Sequence, residues 1–189
     1  MLPNVVEAFA RRHLNGERVP DDLAQLLLHG DEFLELTGIR LVSDADKEPW
    51  NDTSYLSAQE LENPGIASNV RAMSQTNRLI AFIAIDEEDQ YYGYWRGPDQ
   101  RSIQNSPIVF LDNEGQYSAL NQAGLASAVH AQTSHYMQTD LHTELREFLE
   151  SIGIQPPVSD TFLEWPDGLV TPQEFREALY TAYLNESPR

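Results

Sequence analysis

The sequence predicts an α+β fold: a single domain with an antiparallel central sheet, and helices at both ends of the chain packed mainly on one face. Two observations predict it. Leu79–Ile85 and Pro107–Leu111 are unbroken apolar runs, as expected of covered central strands. The aromatic run Tyr91-Tyr92-Gly93-Tyr94-Trp95 lies between them, and the links are too short for parallel crossovers, which leaves an antiparallel meander. Helical signals gather on either side of the strands.

The elements follow in order. Pro3 ahead of Val5, Val6 and Phe9 predicts a first helix stopping near Asn15-Gly16. Pro20-Asp21-Asp22 opens a second, with Leu23, Leu26 and Leu27 on one face, acids at its positive end and Gly30 as its stop. Leu34, Leu36, Ile39 and Leu41 predict a strand over Phe33–Val42, interrupted at Gly38. Asp44–Tyr55, polar and carrying Pro49, reads as loop, and Asn63-Pro64-Gly65 introduces a short helix over Ile66–Thr76. After Leu79–Ile85 comes the acidic turn Asp86-Glu87-Glu88-Asp89, then the strand Tyr91–Arg96 and a break at Gly97-Pro98-Asp99. The turn Asp112-Asn113-Glu114-Gly115 leads into Gln116-Tyr117. The last third is helical. Leu141, Leu145, Phe148, Leu149 and Ile152 form a stripe ended by Gly153 and Pro156-Pro157. Thr171-Pro172-Gln173-Glu174 is a capping box with proline at the first helical position, and it introduces Phe175, Leu179 and Tyr183.

At 189 residues and 41% hydrophobic content, the chain can bury one core. Its 30 acidic residues against 12 basic ones give a formal charge of −18. Such a charge repels nucleic-acid backbones and anionic lipid and attracts basic partners. The expected partner is therefore a basic protein, with neither nucleic acid nor membrane. The absence of cysteine removes disulfides, thiolate nucleophiles and cysteine metal sites. Met1-Leu2-Pro3-Asn4-Val5-Val6-Glu7 does not read as a signal peptide, and no apolar run approaches a membrane span, so a cytoplasmic location is expected.

Chemistry-bearing motifs are lacking. Asp44-Ala45-Asp46-Lys47-Glu48 has Pro49 where a calcium loop needs glycine, and Asp86–Asp89 is followed by Tyr91 at that position. His130, His135 and His142 are spaced five and seven apart, which is not the helical spacing of a zinc pair, and they read as surface or capping residues. No nucleophile elbow, phosphate-binding loop or dinucleotide fingerprint is present. The expectation is a binding protein with no enzymatic activity, cofactor or metal. A small hydrolase using a carboxylate pair is the alternative, because among 30 acids some pair will lie close in space.

Alternation along Tyr91–Arg96 puts Tyr92, Tyr94 and Arg96 on one face and Tyr91, Gly93 and Trp95 on the other. Tyrosine and arginine are enriched at interfaces. The expected partner site therefore comprises Asp86, Glu87, Glu88 and Asp89 for steering, with Tyr92, Tyr94 and Arg96 as anchors.

The segment Asp89–Trp95, the loop with Gly97-Pro98, and Ser106-Pro107-Ile108-Val109-Phe110-Leu111-Asp112-Asn113-Glu114-Gly115 resemble the central strands of the SUKH superfamily (Smi/Knr-like proteins). Val19-Pro20-Asp21-Asp22-Leu23-Ala24-Gln25-Leu26-Leu27-Leu28 resembles that family's opening helix, although His29-Gly30-Asp31 stands where members often carry Asn-Gly-Gly. The resemblance covers residues 19–129 and leaves 130–189 as a helical extension of the same domain. It implies a curved sheet whose open face binds. In bacterial members it implies an immunity protein that neutralises a toxin, often a nuclease, by direct contact. Eukaryotic relatives imply a regulatory scaffold instead.

Overall fold

Alternating apolar and aromatic residues set the middle of the chain into a sheet, and the flanking amphipathic segments close over it. The computed structural model of the chain describes residues 4–46, 48–120, 124–135, 139–156 and 165–186. Met1–Pro3, Lys47, Pro157 and the His135 side chain, all used above, lie outside the described residues. In chain order the elements begin with α1 (Asn4–His13), α2 (Asp21–Leu28), α3 (Gly30–Thr37) and β1 (Arg40–Leu41). Then come α4 (Ala58–Leu61), α5 (Pro64–Asn77), β2 (Ile80–Ile85), β3 (Tyr91–Trp95), β4 (Ile108–Leu111) and β5 (Tyr117–Ala119). α6 (Leu125–His135), α7 (Thr139–Ser151) and α8 (Pro172–Glu186) complete the chain.

The five strands form one antiparallel meander in the order β1-β2-β3-β4-β5. Tyr91 pairs with both Ile85 and Leu111, which makes β3 the middle strand. A register shift between Phe82 and Ala84 inserts Ile83 as a bulge. Ile83 and Ala84 consequently face the same side of the sheet, while Phe82 and Ile85 face the other.

Two apolar layers result. On one face Ile83, Ala84, Tyr92, Tyr94 and Ile108 pack under α1, α2, α3, α6 and α7 through Phe9, Leu23, Leu26, Phe33, Leu125 and Leu149. On the other, Phe82, Tyr91, Trp95, Val109 and Leu111 lie under Trp50, Trp165, Leu169 and Phe175 of α8. Indole N–H groups fasten this second cover, Trp95 Nε1 donating to the Val170 carbonyl at 2.8 Å and Trp165 Nε1 to that of Leu169 at 2.6 Å. α5 packs along α8, with the Arg71 guanidinium 3.7 Å from the centre of the Tyr183 ring. The capping box forms as the spacing predicts: Glu174 N–H donates to Thr171 Oγ1, and Thr171 N–H to Glu174 Oε2.

Three expectations are corrected. Phe33–Val42 is not a strand, because α3 runs to Thr37 and only Arg40–Leu41 joins the sheet. Gly38, at φ 70°, ends that helix in the left-handed conformation that glycine adopts without steric cost. Gly30 likewise starts α3; α2 stops at Leu28. The open binding face that the resemblance implies is also missing, since every residue of β3 is buried.

Gly93 sits at the tightest point of the sheet. A methyl group added there would fall onto Ile80 Cγ2 and lie 2.9 Å from the Ala81 carbonyl oxygen. Overpacking against backbone cannot relax by side-chain rotation. Gly93→Ala should destabilise the fold by about 2 kcal/mol. In urea titrations the midpoint should fall at unchanged slope; an unchanged midpoint would show that the strand yields.

Candidate protein-binding site

The two hairpin turns at one end of the sheet are built alike. In Asp86-Glu87-Glu88-Asp89-Gln90 the Asp86 carboxylate accepts from Glu88 N–H (2.9 Å) and Gln90 N–H (3.0 Å). In Asp112-Asn113-Glu114-Gly115-Gln116 the Asp112 carboxylate accepts from Glu114 N–H (3.0 Å) and Gln116 N–H (2.7 Å). Each glutamine then donates to the glutamate two residues before it. The fourth position is left-handed in both, Asp89 at φ 58° and Gly115 at φ 77°. Three-residue hairpin loops ask for this geometry, and glycine meets it best.

The steering residues therefore differ in kind. Asp86 is half-buried, its carboxyl pushed above the ordinary aspartate value first by burial, and it is occupied in holding the turn. That removes it from the contact set. Glu87, Glu88 and Asp89 are exposed and remain available.

The anchors are corrected more deeply. Tyr92 and Tyr94 do share a face with Arg96, as alternation requires, but that face is the one under the helices. Both rings are buried, and burial pushes the Tyr94 hydroxyl well above its usual value. Arg96 is half-buried and reaches back to the loop after α1, where it pairs with Glu17 Oε1 at 2.6 Å and donates to the Arg101 carbonyl. It clamps two segments of the chain. Tyr92 also lines a space of about 450 Å³ between the acidic turn and α6.

The histidines are also corrected. His130 is fully buried, its ring centroid 3.9 Å from that of His142, which shares Thr133 Oγ1 at 3.1 Å.

On the other side of the turns lies a cavity of about 600 Å³, missed in the sequence because its residues come from four separate segments. Asp52, Glu88, Asp89, Asp112 and Glu114 surround it, with no cation among the described lining residues. Its aromatic residues are Trp50, Tyr91 and Tyr55, the last 75% exposed. The Tyr55 ring is an uncovered apolar surface at the mouth of an acidic bowl. Among the described residues no group of three or more His, Asp or Glu is arranged to hold a metal ion. Also among the described residues, no helix is long and apolar enough to cross a membrane.

The segment that carries Trp50 into place is tied down by charge. Arg40 donates through Nη1 and Nη2 to both oxygens of Asp46, at 2.8 and 2.7 Å, and Ser43 N–H donates to the same carboxylate. Bonding to that guanidinium holds Asp46 down at about 2. A second half-buried carboxyl, Asp22, accepts the Ala126 N–H at the start of α6, and burial pushes it up. Gly124 is what admits it there, since a Cβ at that position would strike the carboxylate.

Comparison with protein-family models, curated proteins and solved structures gives no match to any of them.

Two outcomes follow for the turns and their support. Asp89→Gly should raise stability by up to about 1 kcal/mol by relieving the left-handed residue. Gly115→Asp should lower it by a similar amount, because φ at 115 is 77°, which costs a residue with a Cβ, while Met73 Cε, 2.8 Å from that Cβ, is a flexible side-chain end that can move aside. Thermal melts of the pair check this, and shifts of the same sign would contradict the shared geometry. For Asp46, the folded carboxyl titrates near 2 and the unfolded one near 3.8, so the stability it contributes is present above about pH 4 and is lost as pH falls toward 2. The gap in urea midpoint between wild type and Asp46→Asn should close over that window; a gap constant with pH would refute the pairing.

Proposed function

We propose that the chain is an acidic protein-binding module that captures a basic protein at the turn end of its sheet. The partner we propose is a toxin domain, such as a basic nuclease, held in the cytoplasm by an immunity protein of the SUKH type. The observation that carries this reading is the 600 Å³ bowl lined by an exposed tyrosine and by the carboxylates of Asp52, Glu88, Asp89 and Glu114, with Asp112 holding its turn beneath them and no cation among the described lining residues. Carboxylates at a rim draw a cationic surface in and make its arrival sensitive to salt. A tyrosine at the centre of the contact can supply the apolar grip that sets the departure rate.

Binding is favoured over hydrolysis by what the perturbed carboxyls do. Asp22 and Asp86, both raised by burial, are each committed to backbone N–H groups, one joining α2 to α6 and the other holding a turn. A carboxyl occupied in this way is a poor proton shuttle.

The test is to sequence the genes flanking this chain's own and to measure binding kinetics on the basic toxin domain that this reading expects there. Combining Glu88→Gln, Asp89→Asn and Glu114→Gln should slow association and flatten its dependence on salt. Tyr55→Ala should mainly speed dissociation, at a cost of about 2 kcal/mol or more. Tyr94→Phe, under the helices, should leave both rates unchanged. Failure of the neighbouring toxin to bind would overturn the reading, as would sensitivity to Tyr94→Phe combined with indifference to the rim.

A further inference from the structure

A cavity of different character opens between α5 and α8, with a volume of about 450 Å³. Leu56, Ile66, Val70 and the rings of Tyr55 and Tyr180 make most of its wall. One cation lines it, Arg176 of α8. Arg176 Nη1 donates to Asn69 Oδ1 of α5 at 3.2 Å, which fixes the plane of the guanidinium. Its Nε is buried and meets no acceptor among the described residues.

Half-buried arginines in this chain differ in their pairing: Arg40 meets Asp46 at 2.7 Å and Arg96 meets Glu17 at 2.6 Å, while Arg101 and Arg146 have no carboxylate within ion-pair distance among the described residues. Among the described residues, no carboxylate lies within ion-pair distance of Arg176. What sets Arg176 apart is that it lines an apolar cavity while its Nε is both buried and without an acceptor among the described residues. A half-buried guanidinium without a counter-charge costs free energy unless a ligand supplies the charge. Glu177 also lines the cavity, but it is exposed, and its Oε1 is held by Gln173 Nε2 at 2.6 Å, one turn back along α8.

We infer that this cavity binds an apolar group carrying a carboxylate, with Arg176 receiving the carboxylate and Leu56, Ile66, Val70 and Tyr180 enclosing the apolar part. A guanidinium fork matches a carboxylate in plane and charge, and an apolar wall with one placed polar group is the usual form of a small-ligand site. The chemistry fits two sources, the carboxylate of an acyl chain or the C-terminus of a peptide ending in an apolar residue. This inference does not rest on toxin binding and can hold or fail without it.

The experiment uses the full chain, with sodium octanoate as the acyl probe and N-acetyl-leucine as the C-terminal probe. Octan-1-ol and N-acetyl-leucinamide serve as their neutral counterparts. Amide chemical-shift changes locate binding, and calorimetry measures it. At least one carboxylate should bind roughly tenfold tighter than its neutral counterpart, equivalent to about 1.4 kcal/mol. The shifts should centre on Ile66–Val70 and Arg176–Tyr180. The tighter of the two carboxylates identifies the source. Arg176→Met, confirmed folded by its circular dichroism, should abolish the preference for charge. If that variant does not fold, the wild-type comparison of each acid with its neutral partner still decides. Equal binding of acid and neutral probe, shifts centred elsewhere, or no binding by either acid at millimolar concentration would overturn the inference.

Discussion

Burial of β3 on both faces is the constraint on which the rest of the molecule depends. Its five residues carry four large aromatic side chains, and covering them takes two separate layers. Gly93 makes this possible by letting Ile80 of β2 lie across the strand. With both faces of the middle strand closed, the sheet offers no broad surface for recognition. What remains exposed at the turn end is the set of loops joining the strands, and the acidic rim and Tyr55 are there.

The charge pattern follows from the same enclosure. Arg40 and Arg96, two of the few cations, are spent inside the chain as clamps, Arg40 closing its own loop onto Asp46 and Arg96 joining the end of β3 to the distant loop after α1. The acids, in large excess, remain at the surface, and two hairpins place some of them around one cavity. The twin turns show how structure and surface charge are divided within a single loop. The first aspartate of each holds the backbone, while the glutamate two residues on stays exposed.

Much of this was legible in the residues. The meander, the alternation along β3 and the α8 capping box rest on local signals, namely period-two patterning, short links and a Thr-x-x-Glu spacing. The strand expected over Phe33–Val42 failed because a short helix with apolar residues at Phe33, Leu34 and Leu36 looks, over so few positions, like an interrupted strand. α6 has no boundary in the sequence reading because it is buried on most sides by small residues, Ala126, Ala128 and Ala131, so its helical period is faint. The acidic turn was legible as a turn, but which of its acids are free depends on hydrogen bonds that composition does not show. Tyr92 and Tyr94 look like interface residues by type, and the decision to bury them is made by helices far away in the chain. Tyr55, by contrast, sits in an unremarkable polar loop, and only its position at the cavity mouth singles it out.

Native-state hydrogen exchange at the amides of Tyr91–Trp95 tests the central claim most directly. A strand sealed on both faces and paired on both edges can exchange only when the whole domain unfolds. The account predicts that these amides share an opening free energy equal to the global value from urea titration, while the Glu87–Asp89 turn exchanges through far smaller openings. Opening of β3 at several kcal/mol below the global value would contradict it, because a face of the sheet would then be accessible without unfolding.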